Sequence, residues 1–466
     1  EGTVISESGD TLKNVKITLQ ENPSVHVYTD DNGVFSILAE PGDHLIVGYK
    51  NKEPKIIEVE ENEQEIAIVL DRGSELINLG YNQKQRKDEI AASVGNIRMD
   101  DIEYVTVLNS ANALFGQIAG LRVFQNAGPF PADRQPGLDI RGQATTQDNS
   151  ILILIDGIER PINSVVLEEI ESVAVLRDAA AKAKYGLRGG NGVLLISTRR
   201  GSVGETQYNV SFDQGILQPT RLPEFLNASD YARAVNEAMI NDGLEPRYSQ
   251  TDIQRFVSGE YPSLWPDVDW IDQTLKDAGE FSNFNFNVTG GKNNARFFAN
   301  INYQNEHGFY KHTEAFEEFS TQVDYDRINL RTNLDIQLTP NTIANVNLSG
   351  NIISNQAPAF GNIVGNAFSI PSAMFPVKNY DNTWGGTNQF GNNPVAGLSA
   401  TGYQLDHSRS FSIDLRLQQD LSRLLEGLSA EILGTYDNQA NFFENSTKTF
   451  RYTEVIPVLD SLGAIV

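Results

Sequence analysis

YGLRGGNGVLLISTRRG, Tyr185 to Gly201, packs four glycines and one arginine into its first eight residues and then runs apolar. A glycine-rich phosphate cradle follows a strand and opens a helix, whose first amides and positive dipole end hold the anion. Here the order is reversed. DAAAKAK, Asp178 to Lys184, reads as a short alanine-rich helix with Asp178 as its N-cap, and Val193 to Thr198 reads as a buried strand. Gly186, Gly189, Gly190 and Gly192 therefore stand where a helix ends, and suit positive φ and close backbone approach as the chain re-enters a sheet. No P-loop or dinucleotide fingerprint follows them. The stretch is structural, and the rest of the chain must say of what.

The 466 residues leave room for about two to four domains, and 40% hydrophobic content is enough for a buried core. With 36 basic against 61 acidic residues the formal charge is −25, which argues against nucleic acid or anionic lipid headgroups as partners of the whole surface. There is no cysteine, so a thiolate metal site, a catalytic cysteine and a disulfide scaffold are all excluded. No apolar run is long enough for a transmembrane helix, which leaves open a β-barrel, whose strands alternate instead. HExxH and GxSxG are both missing, and His26, His44, His307, His312 and His407 are scattered singly, so no enzyme, metal site or cofactor is expected.

Along the chain, residues 1–70 read as a small β-sandwich: VKITL, VHVY, GVFSIL, HLIVGY, KIIEVE and EIAIVL are short strands divided by turn clusters, among them Asp30 to Gly33 as a hairpin turn. Residues 71–93 are polar and read as a linker containing one semi-apolar stretch, SELINLGY. Its residues Ser74, Glu75, Leu76, Ile77, Asn78, Leu79, Gly80 and Tyr81 suit either an ordinary local strand or a strand offered to a partner. Residues 94–205 mix a helix, NALFGQIAG, with the strands LRVFQN, GLDIRG, ILILID and ESVAVLRD, as an α+β domain.

From residue 206 the pattern is regular alternation. In INLRTNLDIQL, Ile328 to Leu338, every even position is apolar or threonine, while Asn329, Arg331, Asn333, Asp335 and Gln337 are polar. A soluble sandwich also alternates, so the connections carry the argument. They run long (about 219–280), short (290–294), moderate (about 311–322), short (339–341), long (about 356–406) and short (423–427). Outer-membrane barrels have this asymmetry, with tight turns at one end and long loops at the other. About seven or eight strands are expected, too few to enclose the preceding domain, so either that domain hangs outside or the chain is the first part of a larger barrel, and the second is expected.

These residues resemble the SusC-like TonB-dependent outer-membrane transporters over nearly the whole length. TDDNGVFSI is similar to a turn of the carboxypeptidase-regulatory-like domain; PGLDIRG, ILIDG and EEIESVAVLRDAAAKAKYGLRGGNGVLLISTRRG are similar to the plug signature; WPDVDW, VTGGKNNARFFANINYQNEHG and NNPVAGL are similar to early barrel segments. The resemblance implies a mainly β protein: β-sandwich, α+β plug, then an antiparallel transmembrane barrel of about 22 strands closed by the plug. It further implies import of an oligosaccharide or peptide with a SusD-like lipoprotein, energised by TonB, with the N-terminal domain and linker in the periplasm. SELINLGY occupies the place of the TonB box but lacks the usual valines. Arg141, Gly142, Asp156, Gly157, Glu171, Arg177, Asp178, Tyr185, Gly186, Arg188 and Gly192 fall in the plug signature, and its charges are expected to hold plug strands and barrel wall together. Trp265, Trp270, Tyr380, Trp384 and Phe390 fall on long loops, where their faces suit a substrate or partner and equally suit loop packing. A TonB-linked signalling receptor and a secreted β-rich adhesin are the rival readings.

Overall fold

The computed structural model describes residues 1–6, 9, 11–20, 25–49, 55–59, 66–70, 76–81, 83–102, 106–124, 136–142, 148–292, 294–314 and 319–456. At the N-terminal end two sheets face each other. One has three strands in the order Val34–Phe35, Gly2–Ser6, Ile66–Leu70; the other has four, His26–Tyr28, Lys16–Leu19, His44–Gly48, Lys55–Glu58. Alternate residues of these strands, including Val4, Ile17, Leu45, Val47 and Ile68, point between the sheets and form the core. The Asp30 carboxylate accepts from the amides of Asn32 and Val34, both at 2.9 Å, so it closes the hairpin turn expected there. Gly33 completes that turn with φ of 74°, where a Cβ would stand 2.7 Å from the Val4 carbonyl oxygen.

The next unit is a five-stranded sheet in the order Val94–Arg98, Ile170–Leu176, Val193–Thr198, Leu152–Ile155, Ile158–Glu159. Val193–Thr198 lies in the middle, parallel to Leu152–Ile155 and antiparallel to Ile170–Leu176, which is why the apolar run after the glycines is buried on both faces. NALFGQIAG is not a helix. Only Asn112–Leu114 makes a 3-10 turn; Phe115 leaves helical ψ, and Gly116 follows at positive φ, so the chain turns where its apolar spacing suggested another helical turn.

The rest of the described chain forms one curved antiparallel sheet of seven long strands: Gly204–Leu217, Gly279–Lys292, Ala295–His307, Asp324–Thr339, Thr342–Pro358, Gly402–Asp420 and Ser429–Thr447, here called the first to seventh wall strands. Tight turns join the second to the third, the fourth to the fifth and the sixth to the seventh, while long connections join the others, matching the expected alternation. The alternation within strands is inverted relative to a soluble protein. On the fourth strand Arg327, Asn329, Arg331, Asn333 and Asp335 are buried on the concave face, whereas Ile328 and Leu330 are 40% and 50% exposed on the convex one. Ile301, Tyr303, Phe411 and Leu415 extend that convex apolar surface over neighbouring strands. A polar interior beneath an apolar exterior is the barrel pattern of a lipid-exposed wall.

At the long-loop end, the helices Ala228–Asn241, Gln250–Ser258, Trp270–Thr274, Ile363–Ser369 and Pro394–Ala400 pack into a layer with apolar cores of their own. The capping box of Ser249 with Asp252 starts the second of these helices, and Gly259 in the left-handed region stops it.

Candidate functional site

The mixed sheet seats against the concave polar face of the wall, and that contact is the site. Its most deeply buried charge is Glu169, which ends a 3-10 turn, Leu167–Glu169, just before the long strand Ile170–Leu176. With its side chain 0% exposed, it accepts from Arg331 Nε at 2.8 Å and from Asn300 Nδ2 at 3.3 Å, and it also bonds Asn329. Arg331 is itself 2% exposed, so both charges are compensated at a cost that would become prohibitive if either partner were lost. Beside it Glu168 accepts from Asn283 at 3.1 Å; burial pushes its carboxyl pKa up, with the Asn283 bond acting against that shift and the Glu169 charge adding to it. Arg327 donates to the Asn163 carbonyl at 2.7 Å, and Asn333 donates to Thr198 Oγ1 and the Arg199 carbonyl at 2.9 and 2.7 Å.

Toward the fifth to seventh wall strands the contact changes character. Arg160 reaches out from the last strand of the mixed sheet to Asp414 at 2.6 and 2.9 Å and to Asp437 at 2.7 Å. Arg200 donates to Asp335 at 3.0 Å and to Asn347 at 2.8 Å, and Arg416 returns from the wall to the Asp156 carbonyl at 3.0 Å. Between these arms lies a cavity of about 560 Å³, lined by residues of the sheet, the wall and the segment around Gly80.

The signature charges named from the sequence work mostly inside the plug-like unit. Asp178 caps the helix Ala179–Lys182 through the Ala181 amide at 2.8 Å and accepts from the Ser93 amide at 2.6 Å; those bonds hold its carboxyl below the usual range. Arg177 donates to the Ala119 carbonyl at 2.7 Å, Glu171 sits 3.8 Å from Arg98, and Arg188 pairs with Glu159. Asp156 holds Thr198 through its amide and hydroxyl, at 3.0 and 2.6 Å. Arg141 and Gly142 adopt positive φ in the turn after Gly137–Ile140, where the Gly142 amide donates to Asp139. Of these charges only Asp156 is bonded to the seven wall strands among the described residues, and through its carbonyl; against those strands Arg160, Glu168, Glu169 and Arg200 make the side-chain contacts. The signal was in the sequence, in the polar series Asn329 to Asp335, but its partners lie 130 or more residues earlier.

Of the four glycines after Tyr185, Gly186 and Gly192 adopt positive φ, Gly190 does not, and Gly189 is packed against Tyr185 and Val193. Gly157, at φ of 91°, lets Arg416 approach, since a Cβ there would lie 3.3 Å from its Nη2.

Ser74 and Glu75 lie outside the described residues. The rest of SELINLGY does not run free as a linker would. Leu76–Asn78 pairs antiparallel with Lys84–Arg86 in a hairpin, and Ile77 is buried in a core with Leu152, Leu195 and Tyr185. Tyr185 donates its hydroxyl to the Leu79 carbonyl at 3.0 Å, Asn78 donates to Ser197 at 3.0 Å, and Tyr81 stacks on Tyr185 with ring centroids 5.4 Å apart. Burial, with the Tyr81 hydroxyl nearby, pushes the Tyr185 pKa up to about 12, so the hydroxyl remains a donor.

Among the loop aromatics, Trp265 and Trp270 are buried and hold the loop layer together: Trp265 donates to Asp252 at 2.9 Å beneath Arg255, and Trp270 packs on Phe375. Neither offers a face to a ligand. Trp384 and Phe390 are half-buried, Lys378 lies over the Trp384 ring, and Tyr380 is 83% exposed.

Comparison with known proteins agrees with this geometry. Residues 86–193 match the family described as TonB-dependent Receptor Plug Domain. The chain is 28% identical over 415 residues to TonB-dependent receptor P26 of Formosa agariphila, covering 85% of this chain and 39% of that protein. It is 25% identical over 340 residues to TonB-dependent receptor SusC of Bacteroides thetaiotaomicron, covering 70% of this chain and 31% of that one. The chain thus spans about two fifths or less of the length of these curated relatives. In fold it is similar to the RagAB peptide importer in its open-open state, with a TM-score of 0.63 at 18% identity, covering 79% of this chain and 43% of that one. With a TonB-dependent receptor plug domain matched in sequence and seated on a wall whose polar face is concave, this chain is similar to the SusC-like TonB-dependent outer-membrane transporters.

Proposed function

We propose that the protein of which this chain is part imports a large polar nutrient, a peptide or oligosaccharide, across the outer membrane, with the plug displaced by TonB and a SusD-like lipoprotein over the loop layer. The observation that carries this reading is the inverted wall: a polar concave face holding a folded plug, beneath an apolar convex face. A plugged lumen passes solute only when the plug yields, and the outer membrane has no nucleotide to drive it, so force must arrive through a peptide handle of strand-forming character. Ser74 to Tyr81 is the candidate handle. The kinship with SusC and the fold likeness to a peptide importer support the substrate class, without choosing between sugar and peptide. The N-terminal sandwich suits a regulatory-type domain on the periplasmic side better than the βαβ module of a signalling receptor.

The test is deletion of Ser74 to Tyr81 in the complete transporter. Assembly in the outer membrane and substrate binding are expected to persist while energised uptake is lost. Uptake at the wild-type rate rejects the handle, and failure of the transporter to co-purify with a surface lipoprotein rejects the partnership.

A further inference from the structure

The loop layer holds another cavity, of about 730 Å³, lined by no residue of the plug. That volume falls within the range of ligand sites, roughly 300–1,000 Å³. Lys276, His312, Lys378, Trp384 and Ser399 stand around it, and Glu314 is the one carboxylate among its described lining residues. With histidine counted as neutral, two lysines against one glutamate leave the lining at +1, in a chain whose formal charge is −25. Neither lysine is ion-paired among the described residues, whereas nearby Lys311 is held by Asp272 at 3.0 Å. Lys378 lies instead over the Trp384 ring, 4.6 Å from its centroid, a contact that places the ammonium without neutralising it.

The cavity is built before any ligand arrives. Asn393, 0% exposed, donates to the carbonyls of Val377 and Gly385 at 2.9 and 3.0 Å, and accepts from the amides of Val395 and Ala396, both at 3.1 Å. One buried side chain thereby ties the segment of Lys378 and Trp384 to the helix Pro394–Ala400, which carries Ser399. Trp384–Gly385 also pairs with Tyr452–Thr453, and Asn379 donates to the Thr453 carbonyl at 2.9 Å. The Lys276 amide is fixed on the Phe309 carbonyl at 2.7 Å. Little ordering is left for a ligand to impose.

We infer that this cavity binds an anionic saccharide unit of the imported nutrient, its sulfate or carboxylate held by Lys276 and Lys378. The inference rests on the transporter reading and narrows its substrate class. Two ammonium groups without counter-ions, lining one formed cavity, attract an anion, while the Trp384 indole and the Ser399 hydroxyl suit the C–H and hydroxyl groups of a sugar. No arginine lines the cavity, so the anion meets point charges and not a planar fork. An acidic peptide fits less well. An extended peptide is commonly taken up by addition to an open strand edge, but Trp384–Gly385 is already paired with Tyr452–Thr453, and Trp384 is bridged to Lys378 as well.

The experiment titrates the complete transporter in detergent with chondroitin sulfate hexasaccharide, the same hexasaccharide desulfated, maltohexaose and hexaglutamate, with calorimetry as the readout. The sulfated saccharide is expected to bind at least about tenfold more tightly than maltohexaose or hexaglutamate, and more weakly as potassium chloride is raised. Binding of the sulfated form alone assigns the sulfate, and binding of both acidic forms assigns the carboxylate. Lys276→Gln, at a side chain that makes no hydrogen bond or ion pair among the described residues, should weaken that binding by about tenfold, and Lys276→Arg should restore most of it. Lys378→Gln should act in the same direction, while Lys378→Arg, which keeps both the charge and the contact with Trp384, should bind as the wild type does. Failure of both acidic saccharides to bind, hexaglutamate bound as tightly as they are, or indifference to Lys276→Gln overturns the inference. Uptake by energised cells separates the two failures. TonB-dependent uptake of maltohexaose or hexaglutamate, without binding of an acidic saccharide, strikes the inference and leaves the transporter; no energised uptake of any of the four strikes the transporter reading itself.

Discussion

The two halves of the plug seat use the same residue types to opposite effect. On the second to fourth wall strands, short asparagines and arginines pack directly onto adjacent glutamates, and nothing separates Glu169 from Arg331. On the fifth to seventh strands, Arg160 closes on the buried Asp414 and the half-exposed Asp437, and Arg416 reaches the Asp156 carbonyl beside the cavity of about 560 Å³. The first arrangement fixes position because an unpaired buried charge is intolerable; the second tethers while leaving space for water or solute. An anchored half and a tethered half give one plug both retention and yield.

That contrast can be broken most severely at Glu169. Glu169→Ala strands Arg331 in a sealed site and is expected to destabilise the seated plug by about 3–5 kcal/mol, seen as a lower unfolding temperature and protease entry into residues 94–205. Arg160→Met, on the tethered side, should give the smaller shift of the two, because the buried Asp414 keeps the Thr435 hydroxyl as a donor at 2.8 Å and the half-exposed Asp437 rehydrates. A larger loss from Arg160→Met than from Glu169→Ala would reverse the assignment of anchor and tether. Next in size, Leu330→Arg on the convex face should cost about 2–4 kcal/mol if lipid surrounds it, measured by denaturant unfolding from bilayers. Gly80→Ala forces a side chain into the left-handed region against Tyr185, a strain of about 1–3 kcal/mol, and should free the hairpin for proteolysis while the plug stays protected. Smallest, Tyr185→Phe removes one hydrogen bond to Leu79 and should raise hairpin amide exchange by roughly fivefold, corresponding to about 1 kcal/mol.

Much of the architecture was legible because it is local. The N-cap of Asp178, the turn at Asp30 to Gly33 and the strand after the glycines each depend on neighbours within a few residues, and the long and short connections of the wall follow from where alternation stops. The seat was not legible, since Arg160 and Asp414 stand 254 residues apart and a polar position on an alternating strand does not say which distant charge it meets. The hairpin hid for a different reason. One buried residue, Ile77, anchors a stretch whose composition is that of a linker, and its second strand, Lys84–Arg86, is wholly polar. The tryptophans were ambiguous because a large ring on a loop serves a loop core as readily as a ligand, and Trp265 and Trp270 turned inward.

An apolar convex face turned to lipid and a polar concave face holding the plug define the wall. Single cysteines placed in turn from Ile328 to Gln337, in a protein with none of its own, test it directly. In outer membranes, a lipid-soluble thiol reagent should label the even positions and leave Asn329, Arg331, Asn333 and Asp335 protected, with a period of two. Labelling of Ile328 and Leu330 by a charged, membrane-impermeant reagent at the rate of an exposed loop would put water where lipid is required and contradict the account.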